Sequence, residues 1–232
     1  MTILAVDTSS SILSAALKTE KGVYSMSAEA GNSHSELLCD AVDCVLKLAR
    51  VRREDIDLAG CMKGPGSFSG LRIGFAFVKG FSLALGKPYI SVPTLECTAF
   101  AHKDFDGIVI PVTRASPLQA SKAGGRFFCQ LYRKGAALGG ELDIDAAALL
   151  SLIPPGERAL IAGPAAQPAY TELSAVSEGS QNGRQIILNS NSTKSGALDL
   201  LNILVNRAKI KENGYELGDD DFSSPDYIRP PV

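Results

Sequence analysis

The sequence predicts an α/β protein with mixed β-sheets flanked by helices, divided into two lobes. Three observations lead to this class. Residues 2–6 are a short apolar run that ends at Asp7, so they read as a buried strand. Residues 12–18 follow a serine-rich turn, and residues 23–28 follow the tight turn Glu20-Lys21-Gly22, so a hairpin comes next. Three consecutive strands at the start begin a mixed sheet, not a dinucleotide-binding βαβ unit. Strand and helix patterns then alternate along the chain, with a division near residue 103. The first lobe spans residues 1–103; residues 104–232 form a smaller, diverged lobe with an extended tail. A chain of 232 residues, 45% hydrophobic and 21% charged, is long enough for two such lobes, each with its own core.

Within the first lobe, Ser33 and Glu36 have the spacing of a capping box. It opens a helix over residues 33–50, whose apolar positions Leu37, Leu38, Ala41, Val42, Val45, Leu46 and Leu48 follow the 3.6-residue period. A strand over 57–62 leads into the loop Lys63-Gly64-Pro65-Gly66-Ser67-Phe68-Ser69-Gly70 and a second helix ending at Leu85, closed by Gly86 and Pro88. That helix is apolar nearly all round, so its own domain or a partner must cover most of it. A short strand over 89–92 and a helix over 94–102 complete the lobe.

The second lobe carries strand patterns at 107–112, 126–132, 158–162 and 185–188. Helical patterns cover 143–152, 166–176 and 195–209. Residues 118–125 read as a long hairpin loop and 177–183 as a solvated loop. The tail, with Asp219-Asp220-Asp221 and then Pro225-Asp226-Tyr227-Ile228-Arg229-Pro230, cannot be helical across its prolines.

The net charge is −2, so no global positive field draws the chain onto RNA, and any role in RNA chemistry passes through a partner. Five cysteines without CxxC spacing read as buried reduced thiols. No basic leader precedes the first apolar run and no apolar run approaches a membrane span, so the expected compartment is the cytoplasm, with no membrane contact.

Few residues could carry chemistry. His34 and His102 are the only histidines, with no HxxxH or HExxH pattern, so no metal site of protein nitrogen ligands is expected. His34 reads as a surface or capping residue. No GxSxG elbow supports a nucleophile. Asp7-Thr8-Ser9-Ser10 ends a buried strand at a hairpin. There, actin-like folds use backbone N–H groups to cradle phosphate and a carboxylate to organise Mg²⁺. Here serines stand where close phosphate approach favours glycine. The run Gly64-Pro65-Gly66-Ser67-Phe68-Ser69-Gly70-Leu71-Arg72-Ile73-Gly74 is the most specific segment. Ser67 or Ser69 can cap the helix, whose free N–H groups could meet an anion. Gly70 and Gly74, one turn apart, would let another helix approach closely. The candidate nucleotide-contacting residues are Asp7, Gly66 and Ser67. Leu160-Ile161-Ala162-Gly163 is a strand–Gly–helix junction stiffened by Pro164.

Three blocks occur in order: Ile3-Leu4-Ala5-Val6-Asp7-Thr8-Ser9, Asn32-Ser33-His34-Ser35-Glu36-Leu37-Leu38, and the Gly64 to Gly74 run. They resemble the signature blocks of the TsaB family, also described as glycoprotease-like or peptidase M22-like, and Pro225-Asp226-Tyr227-Ile228-Arg229 is similar to that family's closing motif. The resemblance is carried by residues 1–100. It implies a two-lobed actin-like (ribonuclease H-like) fold. It also implies a homodimer, or a heterodimer with the catalytic paralogue TsaD, formed through a helical bundle on the first lobe. TsaD carries an HxxxH metal motif and transfers threonylcarbamoyl to adenosine 37 of tRNA, assisted by the ATPase TsaE. Lacking HxxxH, this chain is expected to be a non-catalytic subunit. It would hold no tight cofactor, and at most weak or interfacial ATP or ADP with Mg. Ser69 stands where the family usually has Thr, and Thr113-Arg114-Ala115 replaces its Asp-Ala-Arg element.

The expected interface comprises Leu37, Leu38, Ala41, Val45, Gly70, Leu71, Gly74, Phe75 and Val78, so Leu71→Glu or Phe75→Glu is expected to abolish dimerisation and leave a folded monomer. Two other readings stand beside the partner subunit. One is an independent actin-like ATPase or kinase using Asp7 and the Gly64–Gly70 loop. The other is a peptidase, for which the chain offers no credible nucleophile and base.

Overall fold

The computed structural model describes residues 1–114, 125–177, 183–189 and 196–212. The loop expected at 118–125, the acidic run at 219–221 and the Pro225–Arg229 motif lie almost wholly outside these. The described residues form two units: Met1–Cys97 together with a late helix, and the segment that follows from Thr98.

The first unit opens with β1 (Ile3–Asp7), β2 (Ile12–Thr19) and β3 (Gly22–Glu29), then α1 (His34–Ala49), β4 (Leu58–Gly64), α2 (Phe68–Leu85) and β5 (Tyr89–Pro93); α3 (Thr94–Ala101) begins in it and its residues from Thr98 belong to the second. The sheet order is β3-β2-β1-β4-β5. β1–β2 and β2–β3 are antiparallel, while β1–β4 and β4–β5 are parallel, so the expected mixed sheet is present. Strand alternation sorts its two faces. Leu4, Val6, Leu13, Ala15, Leu17, Ala59 and Cys61 form one core with α1 and α2. The alternate residues Ile3, Ala5, Ala16 and Met62 are also buried, on the opposite face.

That opposite face needs a cover, and α6 (Gly196–Glu212) supplies it by packing on β1, β2 and β4. Its position in the chain assigns α6 to the second lobe, but it belongs to the first unit. The physical reason is a small-residue seat. A Cβ at Gly60 would lie 2.5 Å from Leu204 Cδ1, so glycine there lets that leucine pack close onto the strand. The sequence shows an amphipathic helix without showing which sheet it covers.

The second unit contains β6 (Ile108–Thr113), β7 (Phe127–Cys129), β8 (Tyr132–Arg133), β9 (Ala136–Ala137), β10 (Leu142–Ile144), α4 (Ala146–Leu152), β11 (Arg158–Ala162), α5 (Ala166–Ser177) and β12 (Gln185–Leu188). Its main sheet runs β10-β7-β6-β11-β12, again mixed. Ile108, Ile110, Val112 and Phe127 pack against Leu149, Leu150, Ala169 and Leu173. Two local expectations are corrected. The expected strand over 126–132 is split, and residues 132–137 form a hairpin through Lys134 (φ 50°) and Gly135 (φ 78°), the left-handed pair that a tight two-residue turn requires. The helix expected from 143 begins at Ala146, because Asp145 is its cap and accepts the Ala148 N–H at 2.8 Å.

Candidate functional site

α2 is built from the most specific run in the sequence. Ser67 Oγ accepts the Gly70 N–H at 3.3 Å as the N-cap, and Gly86 closes the helix in the left-handed conformation (φ 62°). Its inner face, Gly70, Leu71, Gly74, Phe75, Val78 and Ser82, is buried. The outer face is also apolar. Ile73, Phe77 and Phe81 are half-buried, Ala76 and Ala84 are exposed, and Leu83 is 86% exposed. Phe77 and Phe81 stack on each other with centroids 5.7 Å apart. The neighbouring α1 adds half-buried Leu37 and Cys44 and exposed Leu48. Nothing within the described chain covers these side chains fully.

This arrangement corrects the expected interface. Leu38, Ala41, Val45, Gly70, Leu71, Gly74, Phe75 and Val78 are buried in the chain's own core and cannot meet a partner, whereas Leu37 is half-buried. A helix apolar on both faces does not reveal from sequence which face turns inward. The glycine pair is explained by the chain's own hairpin turn, not by a second helix. Thr8 Oγ1 donates to Gly70 O at 2.7 Å, a Cβ at Gly70 would collide with Thr8 O, and one at Gly74 would lie 2.5 Å from Thr8 Oγ1. By length and composition α2 is also the one helix among the described residues that could cross a membrane, contrary to the expectation from sequence, but its inner face packs into the sheet core.

The three candidate nucleotide contacts do come together. The Ser67 N–H donates to Ser9 O at 2.7 Å, a Cβ at Gly66 would lie 2.5 Å from the same oxygen, and Asp7 Oδ1 accepts the Ser9 N–H at 2.8 Å. Asp7 Oδ1 and the Ser67 N–H are each engaged by Ser9, and the Ser67 hydroxyl by the Gly70 N–H. Asp7 is 5% exposed, and burial raises its pKa against the opposing Ser9 hydrogen bonds, which favours a neutral carboxyl. A carboxyl organising Mg²⁺ needs its charge and an open approach. Asp7, Gly66 and Ser67 converge on Ser9 at the end of β1.

His34, expected at the surface, is 4% exposed, and its Nε2 has no hydrogen-bond partner. The Ser33 and Glu36 side chains do not form the expected capping box; Ser33 O instead accepts the Glu36 and Leu37 N–H groups. All five cysteines are free thiols, but Cys39 is exposed and Cys44 half-buried. In the second unit, Arg114 lies over the Phe127 ring and pairs with Glu172 at 2.7 Å, anchoring the end of β6 to α5. Among the described residues, no group of three or more His, Cys, Asp or Glu could hold a metal.

Comparison with known proteins places this geometry. The family profile described as TsaD, tRNA N6-adenosine threonylcarbamoyltransferase, matches residues 11–163. A tRNA threonylcarbamoyladenosine biosynthesis protein TsaB from Buchnera aphidicola is 39% identical over 89 residues, 38% of this chain and 40% of that protein. The Bacillus subtilis protein of the same name is 34% identical over 113 residues, 48% of this chain and 49% of that protein. The match therefore spans half or less of these relatives' length. A solved Pseudomonas aeruginosa protein, described as uncharacterized with similarity to peptidase YEAZ, superposes with a TM-score of 0.69. It is 24% identical, over 98% of this chain and 99% of that one. The fold is the actin-like α/β class expected from the sequence.

Proposed function

This chain belongs to the TsaB branch of the tRNA N6-adenosine threonylcarbamoyltransferase (TsaD) family, and on that premise we propose that it is the partner subunit of a tRNA threonylcarbamoyladenosine-modifying complex. In this reading it is a cytoplasmic, non-catalytic scaffold that activates a catalytic TsaD paralogue, with TsaE joining through the complex and tRNA contacted only indirectly. The same surface serves a homodimer when the paralogue is absent.

The observation that carries the proposal is the outer face of α2. Ile73, Phe77, Phe81 and Leu83 expose apolar area on α2, and Leu37 and Leu48 do so on the adjoining α1, while the opposite side of α2 is already committed to the core. Aromatic and aliphatic side chains clustered at the centre of a patch are the usual anchors of a stable interface. Two such helices from each protein would pair into a four-helix arrangement. The sequence has no HxxxH motif, which supports assigning the transfer chemistry to the partner. ATP or ADP with Mg, if it takes part, binds weakly or where the partner completes a site, since the Asp7 turn is closed on itself.

Sedimentation of the chain alone and mixed with TsaD tests the surface. Association of the natural chain, and its loss in Phe77→Glu, is expected. Undiminished association of Phe77→Glu and Phe81→Glu would remove this face from the interface.

A further inference from the structure

We infer that the free edge of β3 is a second self-pairing surface, which adds antiparallel to β3 of a second copy of this chain with Ser25 opposite itself. β3 ends the sheet, and among the described residues β2 and α1 are the elements packed against it. Its eight residues pair with β2 in an unbroken register, from Ile12 with Glu29 to Thr19 with Gly22, so no bulge bends it. It contains no proline, and from Gly22 to Ala28 it carries no charge. Proline, bulges and charges along the strand are the devices that keep an exposed edge from pairing with another chain, and this stretch has none of them.

The main chain fixes which residues turn to the open edge. The Ala30 N–H donates to Ser11 O at 2.9 Å, one pair beyond Ile12 and Glu29 in the same register. Hydrogen-bonded and non-hydrogen-bonded pairs alternate in an antiparallel ladder, so Gly22, Tyr24, Met26 and Ala28 bond to β2. Val23, Ser25, Ser27 and Glu29 therefore direct their N–H and C=O groups outward.

In a two-fold pairing, outward residues meet outward residues. Among the registers that satisfy this, the one centred on Ser25 sets exposed Lys21 opposite exposed Glu29 of the second copy, at both ends of the ladder. Registers centred on Tyr24 or Met26 lose both of these opposite-charge pairs. In the Ser25 register Tyr24 meets Met26 of the second copy on the side that packs against the core, and Val23, 56% exposed, meets Ser27 on the other. α2 packs on β1, β4 and β5, away from β3 in the strand order, so this edge is separate from the α2 face and does not rest on the partner-subunit reading. A single strand pair is a small contact, so it adds weakly to association through α2.

Disulfide trapping on the full chain tests this. In a hydrogen-bonded pair the two Ser25 Cα atoms lie about 5.5 Å apart, within bridging range, whereas Val23 and Ser27 each lie roughly 13 Å from their own copies. Ser25→Cys is expected to cross-link at least about tenfold faster than Val23→Cys or Ser27→Cys alone, and a mixture of those two variants to cross-link with each other. Peptide mapping separates these links from any made by exposed Cys39. In the Ser25→Cys chain, Lys21→Glu is expected to slow trapping about fivefold, and adding Glu29→Lys to restore it. Equal rates at the three positions, or fastest trapping at Val23 or Ser27, would overturn the inference. Trapping indifferent to Lys21→Glu would overturn it too, as would a charge-exchanged chain no faster than Lys21→Glu.

Discussion

Thr8 gives the first and third signature blocks one structural purpose. Its hydroxyl donates to Gly70 O, and its main-chain oxygen and side chain fill the space that a Cβ on Gly70 or Gly74 would take. Gly70→Ala therefore forces backbone apart, and a loss of about 1–3 kcal/mol in denaturant unfolding is expected. Leu71 and Phe75 lie on the same inner face, 2% and 4% exposed. Leu71→Glu and Phe75→Glu place an unpaired charge in the core. They are expected to yield unfolded or insoluble chains, not folded monomers. The milder Phe75→Ala is expected to cost about 3–5 kcal/mol, measured the same way. The motif was legible as specific, but its reason was not. Only the fold brings Thr8 against residues sixty positions away.

α2 shows what helical periodicity settles and what it leaves open. The sequence marks it as apolar all round and bounds it by a serine cap and a glycine stop, and both boundaries are present. It cannot show which stripe meets the sheet, because Leu71, Phe75 and Val78 are no more apolar than Ile73, Phe77 and Phe81. With the inner stripe fixed, Phe77→Glu and Phe81→Glu are expected to weaken association by about 2 kcal/mol or more. Folding stability should also fall, by about 1 kcal/mol, because both rings pack in part against the core. Sedimentation equilibrium and a melting curve on the same samples read both. α1 behaves alike: its periodic positions Leu38, Ala41, Val42, Val45 and Leu46 face inward, and Leu48 is left outside. In the second unit the short strands β8 to β10 escaped notice, since two- and three-residue strands carry no periodicity.

At the scale of the whole molecule, the opening strands and the alternating pattern predicted the mixed sheets, and each described sheet has that character. The lobe assignment of α6 was not legible, because the pairing of Gly60 with Leu204 is a long-range fit. Asp7 and Asp199 are far apart in sequence, and the strand and helix that carry them are joined only by that packing. Burial, and then Asp7, push the Asp199 carboxyl up to about 7, so folding stability is expected to decline as pH rises through about 7, and Asp199→Asn to flatten the decline, in thermal melts across that range. The central claim concerns assembly: a chain with a self-contained core, a closed Asp7 turn and an uncovered α2 face supports chemistry carried by another subunit. The most direct test is threonylcarbamoyl transfer to tRNA by purified TsaD and TsaE, supplied with threonylcarbamoyl-adenylate, with and without this chain. Transfer that requires the chain, is absent with the chain alone and is lost with Phe77→Glu is the predicted result. Transfer unaffected by its addition, together with ATP hydrolysis by the chain alone, would contradict the partner-subunit reading and favour an independent actin-like ATPase.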